Sequence, residues 1–315
     1  MEPVENVREY SHHELAALVP LPADDANKYT RGTLTAVVGS ERYPGAACLA
    51  AAASQRAGAG YTEVITHAAA VNIVRAWRPS LVVRPRSALS EALASAYEGK
   101  QPAQSAPGDR KVEALASARA GKPRAYLVGS GFDVQDAESA SLTLSVLEGT
   151  RAPVVVDGGG LDALAGEEGR RLLLRRHEEG CATVITPHAG EAARLARPLG
   201  LPTDDPCALS RALSRALGVV ALVKGPITYA SDGEQVARIA HGTPALAKAG
   251  TGDVLAGMAG ALLAQGLDTL DAAVLAAELH ARAGRVAAAR LTEVAVTAED
   301  VVEALPSAIA ELLGA

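Results

Sequence analysis

Apolar positions along this chain follow two alternating periods. Thr33-Leu34-Thr35-Ala36-Val37-Val38 is a β-prone run that ends at Gly39, and after the loop 40–45 small apolar residues fill an Ala-rich helix from Ala46 to Ala57. Gly58-Ala59-Gly60 stops that helix, and Tyr61 to Thr66 predicts a second strand. The unit recurs with variations. Further strands are predicted at Leu81 to Val83, Ala125 to Val128, Val154 to Val156, Ala182 to Ile185 and Val219 to Val223, separated by helical stretches such as Ser139 to Leu147 and Glu191 to Leu195. Strands apolar on both faces, alternating with helices, predict an α/β fold: a doubly wound, mostly parallel sheet flanked by helices. Tyr229 to His241 reads as a hairpin turning at Asp232-Gly233. The polar, Pro/Gly/Ser-bearing interval Arg84 to Lys122 reads as holding an exposed insertion in its middle rather than a domain boundary.

In an open α/β sheet, ligands gather beyond the carboxyl ends of the strands, so the loops at Gly39, Gly129, Asp157, Thr186 and Gly225 are expected to share one crevice. The stretch from Thr243 to Gly260, TPALAKAGTGDVLAGMAG, is the strongest candidate to close it. Gly250 and Gly252 let the backbone around Thr251 turn several N–H groups toward one point, which suits an anion. Val254, Leu255, Met258, Leu262 and Leu263 recur at helical spacing, so this cradle opens a helix whose positive end faces the same anion, most naturally a phosphate. Asp253 beside a phosphate has two readings: a general base that takes a proton from a substrate hydroxyl, or a helix cap. The spacing leaves both open.

Four other constellations sit at predicted strand ends. Asp157 follows Val154-Val155-Val156 and suits either a metal-bound water or substrate hydroxyl, or the cap of the next helix. His188 and Glu191 lie in a Pro/Gly-shaped loop before a helix, where His188 can face ligand or serve structure and Glu191 favours the helix start. Lys224-Gly225-Pro226-Ile227-Thr228 supplies one cation and one hydroxyl, suited to nucleotide phosphates without being a P-loop. Tyr43-Pro44-Gly45-Ala46-Ala47 permits close approach of a large ligand, or tight helix packing.

Composition narrows the partners. With 21% charged residues and a net charge of −6 over 315 residues, no basic surface advertises nucleic acid or an anionic membrane, so any phosphate must be held locally. Aromatic content of 3% leaves an interior of Ala, Val and Leu and no base-stacking platform. Cys48, Cys181 and Cys207 are widely spaced without a CxxC pair, and read as buried thiols. Adjacent His12 and His13 diverge on a helix and form no metal site. No charged-then-apolar leader and no run of about 18 apolar residues occurs, so a cytoplasmic protein is expected.

Taken in order, five blocks resemble the ADP-dependent NAD(P)H-hydrate dehydratase family, the carbohydrate-kinase-related branch of the ribokinase-like superfamily. They are KYTRGTLTAVVGSERYPGAACLAAAASQRAGAG, VVVDGGGLDALA, ITPHAGEAARL, ALVKGPIT and AKAGTGDVLAGMAGALLAQG, and the resemblance runs from about Lys28 to Leu313. It implies a 1–27 N-terminal extension and a 28–315 ribokinase-like domain. It also implies an enzyme of nicotinamide cofactor repair that removes water from the 6S hydrate of NADH or NADPH while ADP becomes AMP and phosphate. Asp253 is then the catalytic residue. Lys224, Gly225, Pro226, Ile227 and Thr228, with Gly250, Thr251 and Gly252, lie along the adenine nucleotide. Ala46, Gly131 and His188 contact the hydrated dinucleotide. Mg2+ accompanies the phosphates with no side-chain metal site, and a cytoplasmic homotetramer is the implied assembly.

The chain departs from the family pattern in places. The usual Asp-Ala-Asp-Ala-Leu-Asn block stands here as Asp157-Gly158-Gly159-Gly160-Leu161-Asp162, which puts the roles of Asp157 and Asp162 in question. The Gly-Pro-Gly turn is Gly129-Ser130-Gly131, and Lys248 occupies a position where a small polar residue is common, adding a candidate phosphate cation. The first 27 residues are too short for the epimerase domain that some members carry, so no epimerase activity is expected. Two rivals stay in view: an ATP-dependent kinase for a small alcohol, which uses the same cradle and aspartate, and an adenine-nucleotide-binding protein without catalysis.

Overall fold

The strands are β1 (Val7–Arg8), β2 (Thr33–Val37), β3 (Tyr61–Thr66), β4 (Val82–Pro85), β5 (Arg124–Val128), β6 (Val154–Val156), β7 (Thr183–Ile185), β8 (Val220–Val223), β9 (Thr228–Ser231) and β10 (Val236–Ile239). In the computed structural model, which describes residues 7–97, 123–133 and 135–315, they form one sheet in the order β1-β10-β9-β8-β7-β6-β5-β2-β3-β4. Every neighbour pair is parallel except the two made by β9. Each expected strand falls on an observed one, the ends coinciding or displaced by at most two residues. Most of the expected insertion within 84–122 lies outside the described residues.

Side chains alternate between two cores, one on each face of the sheet. Leu34, Ala36, Leu127, Val155, Val184 and Leu222 face one core, and Val37, Tyr126, Val128, Val156, Ile185 and Val223 face the other. The first is covered by the helices Pro44–Arg56, Thr251–Ala264, Thr269–Ala295 and Ala298–Leu313, the second by Glu138–Gly149, Glu167–Glu178, Ala189–Ala196 and Pro206–Leu217. Both faces are dry, which is why the strands read as continuous apolar runs.

Residues 7–18 join this body. Val7 pairs with Val236 in the sheet, and Leu15, on the helix His12–Leu18, is fully buried. Short strand length hid β1, since two residues carry no periodic signal. The expected hairpin is present: Asp232 Oδ1 accepts from the N–H groups of Glu234 and Gln235 at 2.9 and 2.8 Å.

Strand order reverses between the parallel neighbours β2 and β5, so the connections leaving them run to opposite sides and open a crevice at their carboxyl ends. The Ala-rich stretch 44–56 builds one wall by close packing. A Cβ on Gly257 of the 251–264 helix would stand 2.1 Å from the Ala50 carbonyl oxygen, so the two helices approach backbone to backbone. Replacing Gly257 by Ala is expected to cost about 1–3 kcal/mol through forced separation. Urea unfolding checks this as a lower midpoint with an unchanged slope.

Candidate active site

Five consecutive parallel strands deliver the site. Beyond β2 lies Gly39, beyond β5 Gly129-Ser130-Gly131, beyond β6 Asp157, beyond β7 Thr186, and beyond β8 Lys224. Asp157 is the hub: its Oδ1 accepts from Thr186 Oγ1 at 2.6 Å and from Lys224 Nζ at 2.9 Å, and its Oδ2 accepts from Ser130 Oγ at 2.9 Å. The carboxylate is 3% exposed as a residue, so these donors replace its water. Burial works against the Lys224 ammonium, yet Asp157, Glu191 and Asp253 together outweigh it and hold the proton more tightly than in an ordinary lysine.

The helix Thr251–Ala264 points its N-terminus at this pair. Its N-cap, Gly250, sits at φ 91°, and no side chain caps the end. A Cβ at Gly250 would meet Leu49 Cδ1 at 2.6 Å, so both conformation and space demand glycine. The first N–H groups of a helix lack acceptors within it; here Thr251 N donates to Lys248 O at 3.4 Å, and those of Gly252 and Asp253 are left for a ligand. A Cβ on Gly252 would stand 3.3 Å from Lys224 Nζ, which places the ammonium directly beside the cradle. Asp253 follows. Burial, then the negative charge of Asp157, push its carboxyl up from 3.8 to about 7, while Lys224 and a hydrogen bond with Ser130 pull the other way. One carboxyl poised to change charge near neutrality thus adjoins a cation and free backbone donors.

The family model for NAD(P)H-hydrate dehydratases matches residues 34–307. The chain belongs to this family. It is 31% identical over 296 residues to the ADP-dependent (S)-NAD(P)H-hydrate dehydratase of Xanthomonas campestris, covering 93% of each chain. It is 34% identical over 286 residues to the bifunctional NAD(P)H-hydrate repair enzyme Nnr of Mycobacterium leprae, covering 88% of this chain and 50% of that protein. The chain therefore spans about half the length of the bifunctional relatives it matches. The ADP/ATP-dependent NAD(P)H-hydrate dehydratase of Bacillus subtilis, co-crystallised with ATP/Mg2+, has the same fold, with a TM-score of 0.75 and 22% identity over 98% of this chain and 100% of that one. A ribokinase-like superfamily protein of Enterococcus faecalis gives a TM-score of 0.74 at 21% identity over 99% and 98%.

Against this family frame, most of the expected site residues lie around one crevice. Gly131 and Ala46 are in contact, a Cβ on Gly131 falling 2.3 Å from that of Ala46 at the switch between β2 and β5. Gly225 and Pro226 form an exposed lip, with Ile227 and Thr228 half-buried behind it. Thr251 contributes only backbone, because its hydroxyl donates to Leu246 O at 2.7 Å and Lys248 O at 2.8 Å. His188 caps the helix Ala189–Ala196: its Nδ1 accepts from Gly190 N and Glu191 N, while Glu191 returns the bond to His188 N at 2.7 Å. The ring is 58% exposed, and its Nε2 stands 3.5 Å from Glu191 Oε1.

Three expectations change. Asp157, whose role the altered block put in question, anchors the whole network. Asp162 instead pairs with Arg194 at 3.2 Å on the surface. Lys248 donates to Val294 O at 2.6 Å, so its ammonium secures the chain near the bend at Thr292 rather than standing free for phosphate. Ser130 and Glu191 were missed as members of the charged cluster, although Ser130 sits in a Gly-Ser-Gly turn directly at a strand end, which is the signal that marks it. A cavity of about 710 Å3 lined by His177, Cys181, Arg215, Asp232 and Leu270 opens at the amino ends of β7 and β8, and no residue of the charged cluster lines it.

No group of three His, Cys, Asp or Glu side chains among the described residues is arranged to hold a metal, and Asp157 already has three donors.

A carboxyl whose folded pKa is raised contributes stability that is complete below its unfolded value and is lost as pH climbs through the folded value. For Asp253 that window runs from 3.8 to about 7. In the unliganded protein, Asp253→Asn is therefore expected to melt a few degrees above the parent at about pH 8, with the gap closing below about pH 5. Thermal melts across that range check it.

Proposed function

We propose that this chain dehydrates hydrated NADH and NADPH at the expense of ADP, yielding the intact dinucleotide, AMP and phosphate. The observation that carries the reading is Asp253, half-buried near Lys224 at the open N-terminus of the 251–264 helix. Kinship with the Xanthomonas campestris enzyme along 93% of both chains supports it.

Water is a poor leaving group from the hydrated nicotinamide ring, and phosphate is a good one. Ionised Asp253 takes the proton of the ring hydroxyl, and that oxygen attacks the terminal phosphorus of ADP. The bond to the bridging oxygen breaks and AMP leaves with its electron pair. Charge on the transferring group is met by the N–H groups behind Gly250 and by the Lys224 ammonium, both fixed before substrate arrives. Loss of the phosphate ester together with a proton from the adjacent carbon restores the ring double bond. Asp157 touches neither reactant here; it keeps Lys224 charged and aimed. The adenine nucleotide would lie along 224–228, whose exposed lip adjoins the cradle, and Mg2+ carried on its phosphates would neutralise their charge. A cytoplasmic homotetramer belongs to the same reading, checked for assembly by sedimentation.

Incubation with hydrated NADH and ADP should regenerate dihydronicotinamide absorbance. Turnover only with ATP and a small alcohol would make the protein a kinase instead, and no turnover with any pair would leave a binding protein. Asp253→Asn is expected to lower kcat/KM by roughly 10²–10⁴-fold while ADP binds almost as before, as calorimetry would show. In the parent, kcat/KM should rise tenfold per pH unit below the Asp253 value and level off above about 7.

A further inference from the structure

Arg86 lies outside the phosphate side of the site, yet it is one of the most enclosed cations in the molecule, its side chain 8% exposed. It follows β4 at the carboxyl edge of the sheet. Nη1 meets Asp136 Oδ2 at 2.6 Å and Glu138 Oε2 at 3.2 Å, and Nη2 donates to Gly39 O at 3.2 Å. The guanidinium stands 5.3 Å from the Phe132 ring centroid. One planar fork thus joins three segments far apart in sequence: the loop after β2, the segment after β5 and the end of β4.

Those segments form the crevice wall at the topological switch. Gly39 N donates to Ser130 O at 2.8 Å, and a Cβ on Gly131 would lie 3.3 Å from Gly39 Cα and 2.3 Å from Ala46 Cβ. Ser130 in turn holds Asp157. None of the Arg86 partners belongs to residues 224–228 or 250–253. A buried ion pair adds little net stability, because desolvation offsets the attraction, so its consequence is expected in geometry more than in melting temperature. We infer that Arg86 is a positioning residue for the dinucleotide half of the crevice, clamping the Gly39 and Gly131 turns so that they accept the hydrated dinucleotide without reordering. This rests on the dehydratase reading for the identity of the ligand, while the clamp itself does not.

Arg86→Met should raise KM for the hydrated dinucleotide about tenfold and leave KM for ADP within about twofold, since only one wall loses its register. Amide exchange over 38–46 should quicken by a similar factor, with residues 250–256 unchanged. Asp136→Asn should shift both readouts in the same direction, and the double variant should be no worse than Arg86→Met alone. If Arg86→Met fails to fold, Arg86→Lys replaces it and should give a partial effect, because an ammonium cannot serve all three acceptors in one plane. Unchanged dinucleotide KM, or parallel increases for both substrates, would overturn the assignment. A parent without dehydratase turnover would instead sink the functional reading, and the exchange comparison would still judge the clamp: no quickening over 38–46 would end it.

Discussion

The buried pair of Asp157 and Lys224 is the interaction on which the site depends. Either charge alone at the end of a dry sheet would be expelled or neutralised. Together, with Ser130 and Thr186 completing the carboxylate's bonds, they form a fixed dipole across β5, β6, β7 and β8. The pair also sets the character of Asp253, since Asp157 raises its proton affinity and Lys224 lowers it. A third charge therefore stands near its switching point, and the helix N-terminus adds to the positive field there.

Close backbone approach is what brings these groups within reach of one another. The turn after β5 and the turn after β6 press together: a Cβ on Gly129 would stand 2.2 Å from Asp157 O, and one on Gly159 would stand 2.7 Å from Phe132 O. The run Gly158-Gly159-Gly160, which departs from the family block, thus fits a contact that leaves little space for side chains. The same economy appears behind the cradle, where Ala50 and Gly257 let two helices meet. Low aromatic content and abundant alanine suit this packing: large side chains would push the 251–264 helix away from the strand ends that face it.

Much of the site was legible residue by residue. Glycines before an apolar helix mark an open helix N-terminus, because that signal depends only on local backbone preference; the aspartate directly after them read equally as a base or a cap. Strand ends were legible from the apolar runs, which gave the five loops of the crevice. The failures were all of pairing. Lys248 looked like a phosphate cation by proximity in sequence but is taken by Val294. Asp157 looked compromised by its altered block, although its partners come from residues 27, 29 and 67 positions away. Arg86 gave no signal, since its partners lie about 50 residues off on both sides.

The sequence by itself determined the order of strands and helices, the two dry faces of the sheet and the identity of the cradle, because hydrophobic period and glycine placement act over a few residues. Only the tertiary structure decided which charges meet. Ion pairs and pKa values depend on burial and on distances between distant segments, and no local pattern encodes either. For the same reason β1 emerged only in the assembled sheet, where Val7 finds Val236 as a neighbour.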